Sequence, residues 1–275
     1  MDLYCVMGNP VEHSKSPWIH ARFAQITGHG LRYEKRLVAP GGFADAVRAF
    51  RDEGGKGCNV TVPFKFESPA IATQLTPRAQ LAQASNTLRF DGDMVLGDNT
   101  DGVGLVSDIQ RNAGVAIRGR DVLVAGAGGA ASGVLGPLVE AQARRIVVAN
   151  RTVGRARGLV DRHAGLAAQH GVRVESCELS SIPGDFDIVI NATAASMSGA
   201  GVPFAASVLK PKALAVDMMY GPAAAGFVAW AQEHGAIARD GLGMLVEQAA
   251  EAFLVWRGVR PPSAPVLAEL RATLA

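Results

Sequence analysis

The stretch Val122-Leu-Val-Ala-Gly-Ala-Gly-Gly-Ala-Ala-Ser-Gly-Val-Leu135 constrains this chain more than any other. An apolar run ends at Gly126, glycines crowd the next positions, and Val134, Leu135, Leu138 and Val139 then recur at helical spacing. That order predicts a buried strand, a tight turn and the start of a helix. Gly126, Gly128 and Ala131 fit G-x-G-x-x-G/A, the pattern of a dinucleotide-binding crossover. The first glycine makes the turn, the second lets backbone approach a pyrophosphate, and the small third residue lets helix pack on strand. Glycines also mark ordinary turns, but here the flanking segments agree with the motif. The helix N-terminus offers unpaired N–H groups and a positive dipole end to phosphates. The expected cradle is Gly126, Ala127, Gly128, Gly129 and Ala130.

The surrounding texture extends that reading. From Arg120 on, strands are expected at 121–126, 145–149, 172–175, 186–191, 213–217 and 236–238, with helices between most of them. Near-continuous apolar runs such as Ile146-Val-Val-Ala149 and Ile188-Val-Ile190 suit parallel strands covered on both faces. Right-handed crossovers then give a doubly wound sheet. Upstream, strands at Leu3–Met7, Leu31–Val38 and Gly57–Val62 alternate with helices at about 16–27 and 43–51. A hairpin around Asp91-Gly92-Asp93 follows, and Val115–Gly119 is a natural linker. The expectation is an α/β chain of two lobes. At the far end, Gly241–Trp256 is a strongly apolar helix, Pro261-Pro262 breaks it, and a last helix covers about Ser263–Leu274.

Composition narrows the function classes. The 275 residues are 48% hydrophobic and 19% charged, and 27 basic against 25 acidic residues leave a net charge of +2. That balance gives no electrostatic footprint for nucleic acid or a membrane surface. No apolar run approaches the roughly 20 residues of a membrane span, and no secretory signal pattern opens the chain. Cys5, Cys58 and Cys177 show no metal-ligand spacing and suit a reducing compartment. A cytoplasmic protein without a metal site is expected, acting on a small molecule as a monomer or homodimer.

Several polar residues admit two readings. Ser16 before Pro17 looks like an N-cap with proline at the first helical position, and Ser14 like a turn residue. Lys65 follows Pro63 at an expected helix start, where its charge opposes the dipole; a solvated lysine tolerates that. Asp101 falls in the first turn of a helix that Asn99 or Thr100 could cap, itself a sufficient reason for an aspartate. At the end of the second strand of the nucleotide lobe, NAD-selective sites usually carry an acid for the ribose 2′-hydroxyl. Here stands Asn150-Arg-Thr-Val-Gly-Arg155, with no carboxylate and two arginines. An acid would repel a 2′-phosphate and a guanidinium fork would hold one, which favours NADP.

Taken together, the chain resembles the shikimate dehydrogenase family over nearly its whole length. The resemblance rests on Gly8-Asn-Pro-Val-Glu-His-Ser-Lys-Ser-Pro17, Asn59-Val-Thr-Val-Pro-Phe-Lys65, Asn86-Thr87-Leu88, Asp98-Asn-Thr-Asp101, Asn150-Arg-Thr152, Asn191-Ala-Thr193 and Gly241-Leu-Gly-Met-Leu-Val-Glu-Gln248, in that order. It implies an enzyme whose first lobe, residues 1–100 with 241–275, takes substrate, and whose second, 101–240, is a Rossmann lobe for NADP. The active site would lie in the cleft between lobes, with the C-terminal helices returning to the first. By motif, Ser14 and Ser16 would bind the substrate carboxylate with Tyr220 nearby, and Thr61, Asn86 and Gln248 would take ring hydroxyls. Lys65 and Asp101 would carry the proton. Asn150, Arg151, Thr152, Arg155, Thr193, Met218, Gly241 and Met244 would join the glycine loop in holding NADP. The implied reaction is reversible NADPH-dependent reduction of 3-dehydroshikimate to shikimate, in chorismate and aromatic amino-acid biosynthesis.

The chain departs from the family pattern at Ala21, at Ala194-Ala195-Ser196 before Met197, and at Ala225, and no departure removes a proposed catalytic group. Two rival readings are a quinate/shikimate enzyme of broader substrate or cofactor range and a catalytically silent nucleotide-sensing module. The missing acid speaks against NAD, and Lys65 together with Asp101 speaks against a silent module.

Overall fold

The computed structural model describes residues 1–193 and 201–274. They fall into two compact units: Met1–Gly104 with Val246–Ala275, and Leu105–Leu245.

The first unit is built on a six-stranded sheet of β1 (Asp2–Gly8), β2 (Leu31–Leu37), β3 (Gly55–Val60), β4 (Gln74–Leu75), β5 (Thr87–Asp91) and β6 (Met94–Asp98). Its order is β2-β1-β3-β5-β6-β4. β1 pairs in parallel with β2 and β3, whose connections run through α1 (Ser16–Thr27) and α2 (Phe43–Asp52). β5 pairs antiparallel with both β3 and β6, and the Asp91-Gly92-Asp93 turn, with Gly92 at φ 57°, closes the β5–β6 hairpin. The sheet is therefore mixed. One face buries Met7, Phe43, Phe50, Phe64, Leu88 and Val95. Each such side chain removed from water contributes roughly 1.5–3 kcal/mol.

The rest of this unit's core comes from the far end of the chain. α8 (Leu242–Arg257) brings Trp256 against Tyr4, ring centroids 4.6 Å apart, and the indole N–H donates to Leu88 O at 3.0 Å. Phe253 meets Phe23 of α1 edge-on at 6.0 Å. Arg257 pairs with Asp2, and Glu269 of α9 (Ser263–Leu274) takes a two-toothed bond from Arg22. Two short elements have no counterpart in the sequence pattern: β4 and the helix α3 (Pro77–Ala82), whose Thr76 hydroxyl accepts the Ala79 N–H at 3.3 Å.

The second unit begins within α4 (Asp101–Ser107), which a π-helical turn at 108–112 continues. Its sheet contains β7 (Asp121–Ala125), β8 (Arg145–Asn150), β9 (Arg173–Glu178), β10 (Phe186–Asn191), β11 (Leu209–Asp217) and β12 (Ile237–Arg239). All are parallel, in the order β12-β11-β10-β7-β8-β9. α5 (Gly129–Glu140), α6 (Val153–His170) and α7 (Ala225–Glu233) complete the described layers. Alternate residues of each strand enter two separate cores: Val122, Val124, Ile146, Val148, Ile188 and Ile190 on one face, Leu123, Val147, Ala149 and Val189 on the other. Burial on both faces is why these strands read as unbroken apolar runs. Strand order reverses between β7 and β10, and ligands of such sheets bind beyond the strand ends at that point. No described helix is long and apolar enough to cross a membrane.

Candidate active site

Lys65 and Asp101, 36 residues apart in sequence, form an ion pair at 2.6 Å (Nζ to Oδ2). Lys65 does not open a helix, as the sequence suggested. It lies in a single 3-10 turn, Phe64–Phe66, so no helix dipole opposes its charge. The turn is anchored by Phe64, fully buried and stacked on Phe43 at 5.0 Å. Asp101 is the first residue of α4, and its N–H donates to Asn99 Oδ1 at 3.2 Å in a turn just before the helix. The side chains are 15% and 5% exposed, so the pair is largely shielded from water and each charge depends on the other.

Asn86 completes the group. Its amide NH₂ donates to Asp101 Oδ1 at 2.8 Å and stands 3.3 Å from Gln248 Oε1. Gln248 reaches it because Gly104 lets α8 lie against α4: a Cβ at Gly104 would stand 2.6 Å from Gln248 Cβ. Lys65, Asn86, Asp101 and Gln248 thus make one hydrogen-bonded cluster, wholly within the first unit. Thr61 is half-buried just beyond the end of β3, and its N–H donates to Met7 O at 2.9 Å. Ser14 and Ser16 stand together at the start of α1, Ser14 Oγ accepting the Ser16 N–H at 3.3 Å. Ser16 is not the N-cap. It is the first helical residue, Lys15 holds the cap position, and no side chain caps that end. Ser16 is therefore buried without the structural duty expected of it. Tyr220 belongs to the second unit, at the head of a short 3-10 turn, Gly221–Ala224.

In the second unit, the glycine loop behaves as its spacing requires. Gly126 holds φ 117°, a region costly for any other residue, and a Cβ there would come within 2.6 Å of Ala192 O. Around Gly128, by contrast, a Cβ would meet nothing within 4 Å. Gly128 precedes α5, whose first N–H groups have no partner within the helix. A tight turn beside an open, donor-rich helix start fits a diphosphate, so the residues present suit the expected dinucleotide. Ala127, Gly129 and Ala130 flank that opening and are half-buried. Asn150 ends β8, its amide bound to Thr152 O at 2.9 Å. Arg151, Thr152 and Arg155 are exposed around the start of α6, and among the described residues neither guanidinium has a partner. Thr193 Oγ1 donates to Asn191 Oδ1 at 2.7 Å, Met218 N–H to Asn191 O at 3.0 Å, and Gly241 N–H to Met219 O at 2.8 Å. Met244 is 6% exposed and packs in the apolar core.

Of the departures, Ala21 and Ala225 are exposed, and 194–196 with Met197 lie outside the described residues. Three buried polar residues against the cluster, Asn59, Thr87 and Thr100, stand in the quoted motifs but take no site role in the sequence analysis. The available signal is a run of polar residues inside otherwise apolar strands, Asn59 in Gly57–Val62 above all.

A doubly wound sheet with this loop at its switch point, joined to an α/β unit holding a shielded lysine–carboxylate pair, defines a class: dinucleotide-dependent oxidoreductases. Comparison with known proteins narrows it. Family models match as the shikimate dehydrogenase substrate binding domain over residues 6–88, shikimate/quinate 5-dehydrogenase over 108–217, and the shikimate 5′-dehydrogenase C-terminal domain over 241–271. The shikimate dehydrogenase (NADP⁺) of Acidovorax sp. strain JS42 is 63% identical over 274 residues, covering 100% of this chain and 97% of its own. Among solved structures, an Ael1 enzyme from Pseudomonas putida is 41% identical, with a TM-score of 0.87 over 98% of each chain. The shikimate 5-dehydrogenase of Thermus thermophilus, solved with NADP(H) and shikimate, is 29% identical, with a TM-score of 0.85 over 100% of both chains. The chain belongs to the shikimate dehydrogenase family.

Proposed function

We propose that this protein is an NADP-dependent shikimate dehydrogenase, reducing 3-dehydroshikimate reversibly to shikimate in the biosynthesis of chorismate and the aromatic amino acids. The observation that carries the reading is the Lys65–Asp101 pair at 2.6 Å, with Asn86 on the second carboxylate oxygen. The unit of 1–104 with 246–275 takes the substrate, and the unit of 105–245 takes the nucleotide.

Gly126 to Ala130 receive the diphosphate, and Arg151 and Arg155 the 2′-phosphate. Thr193, Met218, Gly241 and Met244 border the nicotinamide end. NADPH, when bound, supplies a hydride to the carbonyl carbon. As the carbon–oxygen π bond opens, negative charge gathers on oxygen, and the Lys65 ammonium stabilises it and delivers a proton. Asp101 holds that ammonium in direction, so no reorganisation is needed when the charge appears. Ser14 and Ser16 grip the substrate carboxylate, while Thr61, Asn86 and Gln248 fix the ring through its hydroxyls. In the reverse direction Lys65 takes the hydroxyl proton.

Removing the Lys65 nitrogen should then harm the transition state more than the ground state. Steady-state kinetics on Lys65→Ala are expected to show kcat lower by about 10²–10⁴, with KM for shikimate changed far less. A lysine that only holds substrate gives the opposite split, and an unchanged kcat ends the proposal.

A further inference from the structure

A primary amide has two ends of nearly equal size, and only one of them donates. Asn86 must therefore be told which way to face. Its Oδ1 accepts the Thr100 N–H at 2.8 Å and the Thr87 hydroxyl at 3.0 Å, which leaves its NH₂ toward Asp101 Oδ1. Flipped, the amide would set oxygen against the carboxylate and NH₂ against the Thr100 N–H.

Thr87 has one hydroxyl proton, and its direction is set from behind. Asn59 Nδ2 donates to Thr87 Oγ1 at 3.1 Å, so the Thr87 proton is left for Asn86. Asn59 is itself oriented, donating to Asn86 O at 3.2 Å and accepting the Tyr33 hydroxyl on Oδ1 at 2.7 Å. Thr87 is fully buried and Asn59 is 6% exposed, so water does not compete for these bonds. The half-buried Tyr33 and the buried Asn59, Thr87 and Asn86 thus donate in sequence toward Asp101, which accepts Asn86 on one oxygen and Lys65 on the other.

We propose that Thr87 is a positioning residue: its buried hydroxyl, oriented by Asn59, fixes the Asn86 amide so that Asp101 is held in the rotamer that meets Lys65. The inference rests on the reading of Lys65 and Asp101 as the proton-carrying pair. Valine in place of threonine keeps the shape and removes the hydroxyl, leaving Asn86 Oδ1 with the Thr100 N–H and Thr100 Oγ1 as its donors.

The test is a set of full-length variants assayed with shikimate and NADP⁺, with melting temperature measured alongside. Thr87→Val is expected to lower kcat about tenfold while KM for shikimate stays within about threefold. Thr87→Ser, which keeps the hydroxyl, should return kcat to within about twofold of the parent. In an Asn86→Ala background the hydroxyl has nothing left to orient, so adding Thr87→Val should change kcat by less than about twofold. A Thr87→Val enzyme with parental kcat and only a lower melting temperature overturns the proposal. So does an equal kcat loss in both backgrounds. If Thr87→Val does not fold, Thr87→Ala and Thr87→Ser carry the same comparison. Lys65→Ala separates the two levels: if its kcat is intact, the reading of the pair fails. If Lys65→Ala loses kcat and Thr87→Val does not, this inference alone fails.

Discussion

His20 shows how far burial can move a single group. It lies on the inner face of α1, fully buried, its ring stacked on Tyr33 at 4.5 Å and tilted toward Trp256 at 5.1 Å. Among the described residues neither ring nitrogen has a hydrogen-bond partner, and burial lowers its pKa from 6.5 to about 3, opposed in part by the neighbouring Asn59. The sign follows directly. Between pH 6.5 and about 3 the unfolded chain binds a proton that the folded chain refuses, so stability is fully present above 6.5 and falls with pH through that window. Its slope from this one residue approaches about 1.4 kcal/mol per pH unit. Urea unfolding of His20→Phe, which keeps a ring in the stack, is expected to show a flatter decline between about pH 7 and pH 4 than the parent. Equal slopes would mean that His20 is protonated in the fold. Other residues of the site are legible one at a time: Lys65 and Asp101 stand in motifs that resemblance can match. Thr87 is not, because its role depends on which way three neighbouring side chains donate. No spacing along the chain records that.

At the scale of elements, the start of α6 is where the proposed cofactor choice can be tested. Arg151 precedes the helix and Arg155 lies in its first turn, where positive charge opposes the dipole, and neither finds an acidic partner among the described residues. A bound 2′-phosphate reverses that unfavourable placement. NADPH is expected to exceed NADH by at least about tenfold in kcat/KM, roughly 1.4 kcal/mol of phosphate recognition. Arg151→Ala should weaken NADPH and leave NADH nearly unchanged, and equal efficiency of the parent with both cofactors would refute the assignment. The second sheet is readable element by element, since strands buried on both faces announce themselves as apolar runs. The first unit is less so. Pro63-Phe-Lys65 looks like a helix start, yet Pro69 has no N–H to give Lys65 O, which accepts the Ser85 N–H at 3.0 Å. The chain makes two separate 3-10 turns there instead, at Phe64–Phe66 and Ser68–Ala70. β4, at two residues, and α3, at six, are too short for periodicity to register.

For the molecule as a whole, the two units differ in how they are written into the chain. Leu105–Leu245 is continuous and carries a complete parallel sheet with both of its cores. Produced alone, this stretch is expected to melt cooperatively by circular dichroism. The stretch 1–104 alone should show no cooperative transition, because Phe253 and Trp256, which close its core on Phe23 and Tyr4, are missing. Supplying a peptide of 246–274 should restore one, and a cooperative melt of 1–104 by itself would show that its core closes without α8. The same arrangement sets a timetable on the ribosome. β1 to β6 emerge first, but the tryptophan that seals them is made roughly 150 residues later, after the whole of Leu105–Leu245 has been synthesised. At synthesis rates of about 5–20 residues per second, that delay is on the order of ten seconds or more. For that interval the first unit stays open while the second is still being made, and its Tyr4 and Phe23 face waits uncovered for α8.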